Sequence, residues 1–403
     1  MTECTGVYIS VPFCRAKCTY CNFASGVFGA ARMDAYIDRV CAEIRGARAE
    51  WAARYDAAVA RTVDTLFFGG GTPSLLSAEQ IRRLFAALRG EFELMPTAEI
   101  TIECAPGQLG DETLEELLRQ GMNRVSLGVQ SFVDREAATV GRLHTREICL
   151  AEIARIRAAG VGNINVDLIV GLPRQTAESW RESVEVAIAS GVPHVSVYML
   201  EVDDDSRLGR EMLGAGERYG AGSVPSEDET AEGYGAACEW LENAGVRQYE
   251  ISNFAREGFQ SRHNAKYWRR EAYLGFGLDA HSMLRSGAGA VRRANTSDLD
   301  AYLSGNQDTF ELLPTAEPEV EVIGREQGFE EALFLGLRMN EGVDLEQLRM
   351  EFGQELVRAA LEAMGEVEEA GLVELADGWV RLTQRGRMVS NEVFGRLLVG
   401  VAV

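Results

Sequence analysis

The sequence predicts an α/β protein with three parts: a partial, TIM-like (β/α)6 barrel, an α/β extension and a C-terminal winged-helix-like domain. Three observations support this prediction. Six β-rich runs alternate with helix-like segments up to about residue 200, and such alternation produces parallel strands with helical crossovers. Residues 231–326 mix helical and strand-like patterns. From 327 onward, three helical patterns precede a two-stranded pattern and a last helix.

The barrel elements are read from short apolar runs and from longer helical periodicity. The expected strands are 6–11, 64–69, 98–103, 123–129, 164–171 and 194–200. The expected helices are 31–55, 77–90, 111–120, 146–159 and 177–190. Asp111 is expected to cap its helix, and Gly160 and Gly191 suit helix C-termini. Six units cannot close an eight-stranded barrel, so we expect an open one with its ligand site at the carboxyl ends of the strands.

The remaining segments have weaker patterns. Residues 203–230 are acidic and glycine-rich and are expected to form a mobile loop or lid, followed by a helix over 229–243 and a strand-like "RQYEISNF". Residues 285–325 are expected to be irregular. The predicted domains are therefore 1–230, 231–326 and 327–403.

Composition limits the classes of function. The 403 residues carry a net charge of −22, and Lys17 and Lys266 are the only lysines. A chain this acidic is a poor partner for nucleic acid, because neutralising phosphates needs a basic face. We find neither a signal peptide nor an apolar run of transmembrane length, so we expect a cytoplasmic protein without a membrane-spanning segment. The sequence allows an oligomer.

Three of the eight cysteines cluster in "VPFCRAKCTYCNF", where Cys14, Cys18 and Cys21 have the spacing C-x3-C-x2-C. The other five are scattered, and most are expected to be buried. A structural zinc site needs four ligands, usually as two separated pairs, and no second pair is present. A 4Fe–4S cluster can use three cysteines, which leaves its fourth iron open. On this motif alone, zinc remains an alternative.

A glycine run, "FFGGGTPS", ends the second expected strand. Glycines there let the backbone approach a ligand closely. This run and the cysteine motif resemble the radical S-adenosylmethionine (radical SAM) superfamily. Further motifs, in order along the chain, resemble its oxygen-independent coproporphyrinogen III oxidase-like branch: "ITIECAPG", "RVSLGVQSF", "VGRLHT", "NVDLIVGLPRQT", "RHNAKYW" and "LTQRGRMVSNEVFGRLL".

This resemblance implies a radical SAM barrel with a 4Fe–4S cluster and S-adenosylmethionine. It assigns Cys14, Cys18 and Cys21 to the cluster. The implied S-adenosylmethionine contacts are Tyr8, Tyr20, Gly70, Gly71, Thr72, Glu103, Gln130, Arg142 and Asp167. An arginine for a carboxylate and acids for an ammonium and hydroxyls suit the chemistry of this cofactor.

Two features separate the possible branches. Phe23 stands where the oxidases have a further cysteine, and "HNAKYW" resembles the signature of heme chaperones in this branch. The expected function is therefore to bind heme and transfer it to apo-hemoproteins, with an electron donor serving the cluster. The alternative is a radical enzyme that decarboxylates coproporphyrinogen III or opens or methylates heme. A purely structural module is a third interpretation.

The heme candidates are His263, Tyr267, Trp268 and His281. A histidine can ligate heme iron, and aromatic rings can pack on a porphyrin. The alternative for this motif is a His–Asn pair that only holds a loop, with the aromatic residues in the core. His144 and His194 are expected to be structural. Ser10 replaces a histidine common in relatives, which puts any role of that histidine in doubt here.

Overall fold

The computed structural model describes residues 4–286, 289–304 and 318–399. The strands are β1 Thr5–Val11, β2 Thr62–Gly70, β3 Glu93–Cys104, β4 Arg124–Gln130, β5 Asn163–Val170, β6 His194–Met199, β7 Arg247–Glu250, β8 Asn253–Ala255, β9 Tyr273–Phe276, β10 His281–Ser286, β11 Gly289–Ala294, β12 Glu319–Ile323, β13 Val343–Asp344, β14 Val373–Ala376 and β15 Trp379–Leu382.

The α-helices are α1 Ala30–Tyr55, α2 Ala78–Glu91, α3 Asp111–Gln120, α4 Asp134–Thr139, α5 Arg146–Ala158, α6 Ala177–Ala189, α7 Arg207–Leu213, α8 Glu227–Asn243, α9 Arg262–Trp268, α10 Leu299–Ser304, α11 Arg325–Leu337, α12 Leu345–Phe352, α13 Gln354–Glu369, α14 Gln384–Met388 and α15 Ser390–Val399. Two 3-10 helices are described at Pro73–Leu75 and Arg218–Ser223.

Strands β1 to β12 form one twelve-stranded sheet. Its order is β12-β11-β10-β9-β1-β2-β3-β4-β5-β6-β8-β7. Strands β1 to β6 are all parallel neighbours, and β9 adds to β1 in parallel. The edge strands β12 and β7 do not pair with each other among the described residues, so the barrel is open. The six predicted parallel strands and the α/β fold class are confirmed.

Helices cover the outer face of the parallel strands and bury its apolar side chains, including Val7, Leu66, Ile102 and Val125. Burying one such side chain contributes about 1.5–3 kcal/mol. A capping box at Ser77 and Gln80 starts α2, where a helix was expected. The predicted cap at Asp111 is wrong, because α3 has Gly110 as its N-cap and Asp111 lies in the first turn.

Two segments predicted to be irregular contain regular structure. The expected loop at 203–230 includes α7 and a 3-10 helix, and Leu208 of α7 is buried. The expected irregular stretch at 285–325 includes β11, α10 and β12. Short elements held by tertiary contacts leave a weak periodic signal, which explains both errors. Residues 287–288 and 305–317 of that stretch lie outside the described residues.

The C-terminal part contains the three predicted helices, α11 to α13, followed by the two-stranded wing β14–β15. Its small antiparallel sheet also includes β13, which was not predicted. A separate apolar core holds it together. Backbone hydrogen bonds from Ile251 N–H to the Arg338 carbonyl (3.1 Å) and from Asn340 N–H to the Tyr249 carbonyl (2.9 Å) attach it to β7.

Strands from both sides of residue 230 belong to the one twelve-stranded sheet, because β7 and β8 extend one edge and β9 to β12 extend the other. The domain boundaries 1–230, 231–326 and 327–403 remain a prediction. Over the described ranges, no helix combines the length and the apolar character needed to cross a membrane.

Candidate functional site

The carboxyl ends of β1 and β2 bring the cysteine loop and the glycine run together. Gly71 N–H donates to the Val11 carbonyl at 2.8 Å, immediately before the loop that carries the cysteines. A Cβ at position 71 would lie 2.8 Å from the Phe13 carbonyl oxygen and 2.9 Å from the Phe13 nitrogen. Only glycine fits this close approach. Thr72 is buried beside it.

The three clustered cysteines lie on the loop between β1 and α1 and are partly buried. Arg142 Nη1 donates to the Cys18 Sγ atom at 3.4 Å. Burial raises the pKa of the Cys21 thiol. Among the described residues, no three His, Cys, Asp or Glu side chains are arranged to hold one metal ion. A 4Fe–4S cluster uses one thiolate per iron, so its three cysteine ligands need not converge on a single metal ion.

Two carboxylates lie toward the carboxyl ends of the parallel strands: Glu103 at the end of β3 and Asp167 on β5. We call this pair the carboxylate edge. Burial, and then the charge of Asp167, raise the pKa of Glu103 to about 8, although Gly70 N–H donates to it. Burial also raises the pKa of Asp167, against hydrogen bonds from Ser196, Asn165 and Ser126. Neither acid has a salt bridge among the described residues. A ligand that brings positive charge would offset this repulsion.

Three further polar residues lie around the carboxylate edge: Arg142, Gln130 and Tyr20. Arg142 also donates to the Gly128 carbonyl, while its buried Nε has no partner within the described part of the chain. Gln130 is buried and has a φ of +66°. Burial raises the pKa of Tyr20, whose hydroxyl is hydrogen-bonded to Cys18. An unpartnered guanidinium nitrogen, a strained glutamine and two buried acids fit a zwitterionic cofactor such as S-adenosylmethionine.

A cavity of about 320 Å³ opens next to the cysteine loop. Its wall includes Tyr8 of β1, Gly70 and Gly71 of the glycine run, and Phe23 and Ser25 of the cysteine loop. The cavity is also lined by residues of α9, β9 and β10 and of the turn between β9 and β10: Tyr267, Tyr273, Leu278, Asp279 and His281. His281 is exposed. Aromatic walls and an accessible imidazole are suited to a flat aromatic ligand that contains a metal.

His263 lies away from this opening, on α9 inside the barrel, and is 1% exposed. Its Nδ1 is hydrogen-bonded to the Thr65 hydroxyl (2.9 Å) and its Nε2 to the Tyr267 hydroxyl (2.8 Å). Burial lowers the pKa of His263 to about 3, so the ring is neutral. Both ring nitrogens are occupied by protein groups.

The other two motif residues point in different directions. Tyr267 reaches the cavity wall, where its ring packs edge-on against Tyr273 with centroids 4.6 Å apart. Trp268 instead lies under the guanidinium of Arg338, 4.3 Å from its ring centroid. The structure therefore places His281 and Tyr267 at one cavity and separates them from Trp268.

The predicted structural roles of two other histidines agree with their contacts. His194 is buried between Asn165 and Tyr249, and its pKa is lowered well below normal, chiefly by burial. His144 Nε2 is hydrogen-bonded to the Val129 carbonyl at 3.0 Å, and burial lowers its pKa to about 4.

Sequence reasoning did not identify several residues of the site. Tyr198 of β6 is 40% exposed and lies two positions after Ser196, on the same face of the strand. The Ser196 hydroxyl is hydrogen-bonded to Asn165 and Asn253. Polar residues at every second position of "HVSVYML" could have indicated Tyr198. Asp279 and Tyr273 had no such signal, because an antiparallel hairpin and a positive-φ turn bring them to the cavity.

Comparisons with known proteins agree with this geometry. The model of the Radical SAM superfamily matches residues 8–187, and the HemN C-terminal domain matches residues 325–389. The chain is 33% identical to the heme chaperone HemW of Lactococcus lactis subsp. lactis over 97% of each chain. It is 32% identical to the heme chaperone HemW of Bacillus subtilis, covering 97% of this chain and 98% of that relative.

A solved structure of coproporphyrinogen III oxidase (HemN) from Escherichia coli is similar with a TM-score of 0.82 at 22% identity, covering 98% of this chain and 91% of that one. This likeness supports the fold, a radical SAM barrel with an appended C-terminal region. The curated relatives support the more specific assignment, since they match over nearly their whole length. The family implies a 4Fe–4S cluster and S-adenosylmethionine. The cysteine loop has three thiols that suit the cluster, and the carboxylate edge has two acids that suit the ammonium and hydroxyl groups of S-adenosylmethionine. The chain belongs to the HemW family within the radical SAM superfamily.

Proposed function

We propose that this protein is a heme chaperone that binds heme in the cavity beside the cysteine loop and transfers it to apo-hemoproteins. The observation that carries the proposal is the cavity itself, which combines an exposed imidazole, His281, with the rings of Tyr8, Tyr267 and Tyr273. Full-length relatives named as heme chaperones support it.

The cofactor assignments are part of this proposal. Cys14, Cys18 and Cys21 would hold the 4Fe–4S cluster, and Arg142 donates a hydrogen bond to the Cys18 sulfur. The contacts to S-adenosylmethionine would come from Tyr8, Tyr20, Gly70, Gly71, Thr72, Glu103, Gln130, Arg142 and Asp167. Together the bound cofactors supply one-electron chemistry at the sulfonium centre, whereas the chain orients them and excludes water.

At the cavity, His281 has the exposure that an axial ligand needs. The tyrosine rings provide faces and edges for packing against a porphyrin. Phe23, 61% exposed on the cavity wall, adds apolar surface where the oxidases have a further cysteine. An apolar side chain supports binding of heme rather than redox chemistry at that position.

The internal hydrogen bonds of His263 support a positioning role in place of iron ligation. Both its nitrogens are used, and opening either bond would leave a buried hydroxyl unpaired. His263 orients Tyr267 toward the cavity, and Trp268 anchors the C-terminal part through Arg338. Among the four heme candidates, His281 is the proposed ligand.

Transfer requires partners that the chain does not contain. We propose apo-hemoproteins as recipients, a reductant as electron donor to the cluster, and the cytoplasm as the compartment. The net charge of −22 supports protein partners with basic surfaces over nucleic acid.

The decisive experiment combines anaerobic reconstitution of the cluster with two measurements on the same preparation. Heme titration, followed by absorbance, is expected to show saturable binding, and added apo-hemoprotein is expected to remove the heme. Incubation with coproporphyrinogen III, S-adenosylmethionine and a reductant is expected to leave that substrate unchanged. Conversion to protoporphyrinogen IX, or failure to bind heme, would overturn the proposal.

A further inference from the structure

A buried hydrogen-bond network connects α1 to one wall of the cavity. The wall is built on the turn at 277–280 between β9 and β10, which supplies Leu278 and Asp279 and leads directly into His281. Two residues of this turn have positive φ, Gly277 at +98° and Asp279 at +56°. Aspartate adopts such a conformation at a cost, so contacts from outside the turn must hold it.

Tyr36 of α1 provides the first of these contacts. Its phenol oxygen accepts a hydrogen bond from Leu278 N–H at 2.8 Å, and its hydroxyl donates to the Ser10 carbonyl at 2.7 Å. Ser10 also lies on the cavity wall, at the end of β1. A Cβ at Gly277 would collide with the Tyr36 hydroxyl, which explains the glycine there. One phenol thus ties the turn to the strand beside it.

Glu43 provides the second contact, two helical turns after Tyr36 on the same face of α1. Its carboxylate accepts from Gly277 N–H (2.9 Å), from Asn295 Nδ2 (2.7 Å) and from the Tyr302 hydroxyl (2.6 Å). Asn295 also donates to the Gly277 carbonyl at 2.8 Å. Side chains therefore satisfy both backbone polar groups of Gly277.

These side chains are inside the protein and do not line the cavity. Tyr36 is fully buried and Glu43 is 3% exposed. The ring of Tyr36 also packs edge-on against Phe13, with centroids 5.2 Å apart, and Phe13 directly precedes Cys14. Tyr36 therefore contacts both the base of the cysteine loop and the turn that leads to His281.

We infer that Tyr36 and Glu43 are positioning residues, which hold the 277–280 turn and His281 in place for the ligand of the cavity. The inference rests on the proposed heme site. Neither residue touches the ligand, and both act through the backbone of the turn. Removing either contact leaves a buried N–H without an acceptor, so the turn and His281 are held less firmly, although Asp279 N–H still donates to the Thr296 carbonyl at 3.0 Å.

Tyr36→Phe tests this inference, because it keeps the ring against Phe13 and removes only the hydroxyl. We expect heme affinity to fall about tenfold, with a shifted Soret band, while iron content per chain stays at the wild-type level. We also expect faster amide hydrogen exchange in peptides covering 274–280. The matched control is Tyr55→Phe on the same helix, whose ring packs against Trp51; it should leave all three measurements unchanged.

Glu43→Gln is the second variant, needed if Tyr36→Phe does not fold. It keeps the shape of the side chain but replaces one acceptor oxygen with a donor, and the same three changes are expected. Wild-type heme affinity and an unchanged Soret band in the folded variant would overturn the inference, even if the turn exchanges faster. Lack of heme binding by the wild-type protein would instead overturn the proposed function, and exchange at the turn would still test the hydrogen-bond network.

Discussion

The two ends of the parallel barrel differ in how their buried polar groups are paired. At the amino end, both nitrogens of His263 are hydrogen-bonded, and Glu99 accepts the amides of Arg262 and His263 at 3.0 Å each. Lys266 pairs there with Asp64 at 3.0 Å. At the carboxyl end, Glu103 and Asp167 have no salt bridge among the described residues, and His281 is exposed in a cavity.

We propose that this difference separates structural groups from ligand-binding groups. A buried polar group that is fully paired holds the fold, and a ligand can reach it only by breaking existing bonds. Buried carboxylates that accept hydrogen bonds but lack an ion pair, as Glu103 and Asp167 do among the described residues, destabilise the empty protein and become favourable when a ligand supplies positive charge. On this proposal, histidine and glutamate have structural roles at the amino end of the barrel and ligand-binding roles at its carboxyl end.

The largest effect is expected from Cys18→Ser at the carboxyl end. The substitution removes one of three thiolates, so the reconstituted protein should lose essentially all cluster iron and its visible absorbance. The control is Cys238→Ser, at a cysteine on α8 outside the cysteine loop, which should retain both. Wild-type iron content in Cys18→Ser would show that the loop does not hold the cluster.

The next effect concerns the amino end. His263→Ala should lower the free energy of unfolding by about 2–4 kcal/mol, because it opens a cavity and leaves the hydroxyls of Thr65 and Tyr267 unpaired. Urea denaturation of the cofactor-free protein measures this. His281→Ala, at an exposed position, should change it by less than about 0.5 kcal/mol. Equal losses of unfolding free energy in His263→Ala and His281→Ala would contradict the difference between the two ends of the barrel.

Heme binding should show the reverse order. His281→Ala is expected to weaken heme binding about tenfold or more and to shift the Soret band, because an axial ligand is lost. Folded His263→Ala protein should keep the wild-type Soret position. Absorbance titrations of the reconstituted proteins decide this, and a normal titration of His281→Ala would exclude His281 as the ligand.

The smallest effect is a pH dependence of stability. The pKa of Glu103 is raised to about 8 in the folded protein by burial and Asp167, compared with its ordinary value of 4.5. The folded state therefore retains a proton that the unfolded state loses, so stability falls as pH rises from about 4.5 to 8. Glu103→Gln should reduce this fall by at least about 1 kcal/mol.

Thermal unfolding at pH 5 and pH 8 compares the two proteins, with Glu112→Gln on α3 as the control. Glu112 is exposed in the first turn of that helix and should leave the pH dependence unchanged. An identical pH dependence in wild type and Glu103→Gln would show that the carboxylate edge does not destabilise the empty site.

The class of fold and the main motifs were predictable from the order of residues along the chain. Alternating periodicity predicted all six parallel strands, and local spacing identified the loop of Cys14, Cys18 and Cys21 and the glycines 70 and 71. These features are readable because neighbouring residues in the chain carry the signal. A motif that follows a parallel strand lies at the carboxyl end of that strand, and the carboxyl ends of parallel strands lie close together.

Which histidine is paired inside the protein and which is exposed at the cavity follows from long-range packing and not from the motifs. His263 and His281 could not be distinguished by sequence, because pairing with Thr65 and Tyr267 depends on α9 packing inside the barrel. The wall of the cavity depends on Tyr36 and Glu43, which are more than 230 residues from the turn they hold. Burial and hydrogen-bond pairing arise from contacts between distant segments, and these leave no local pattern in the sequence.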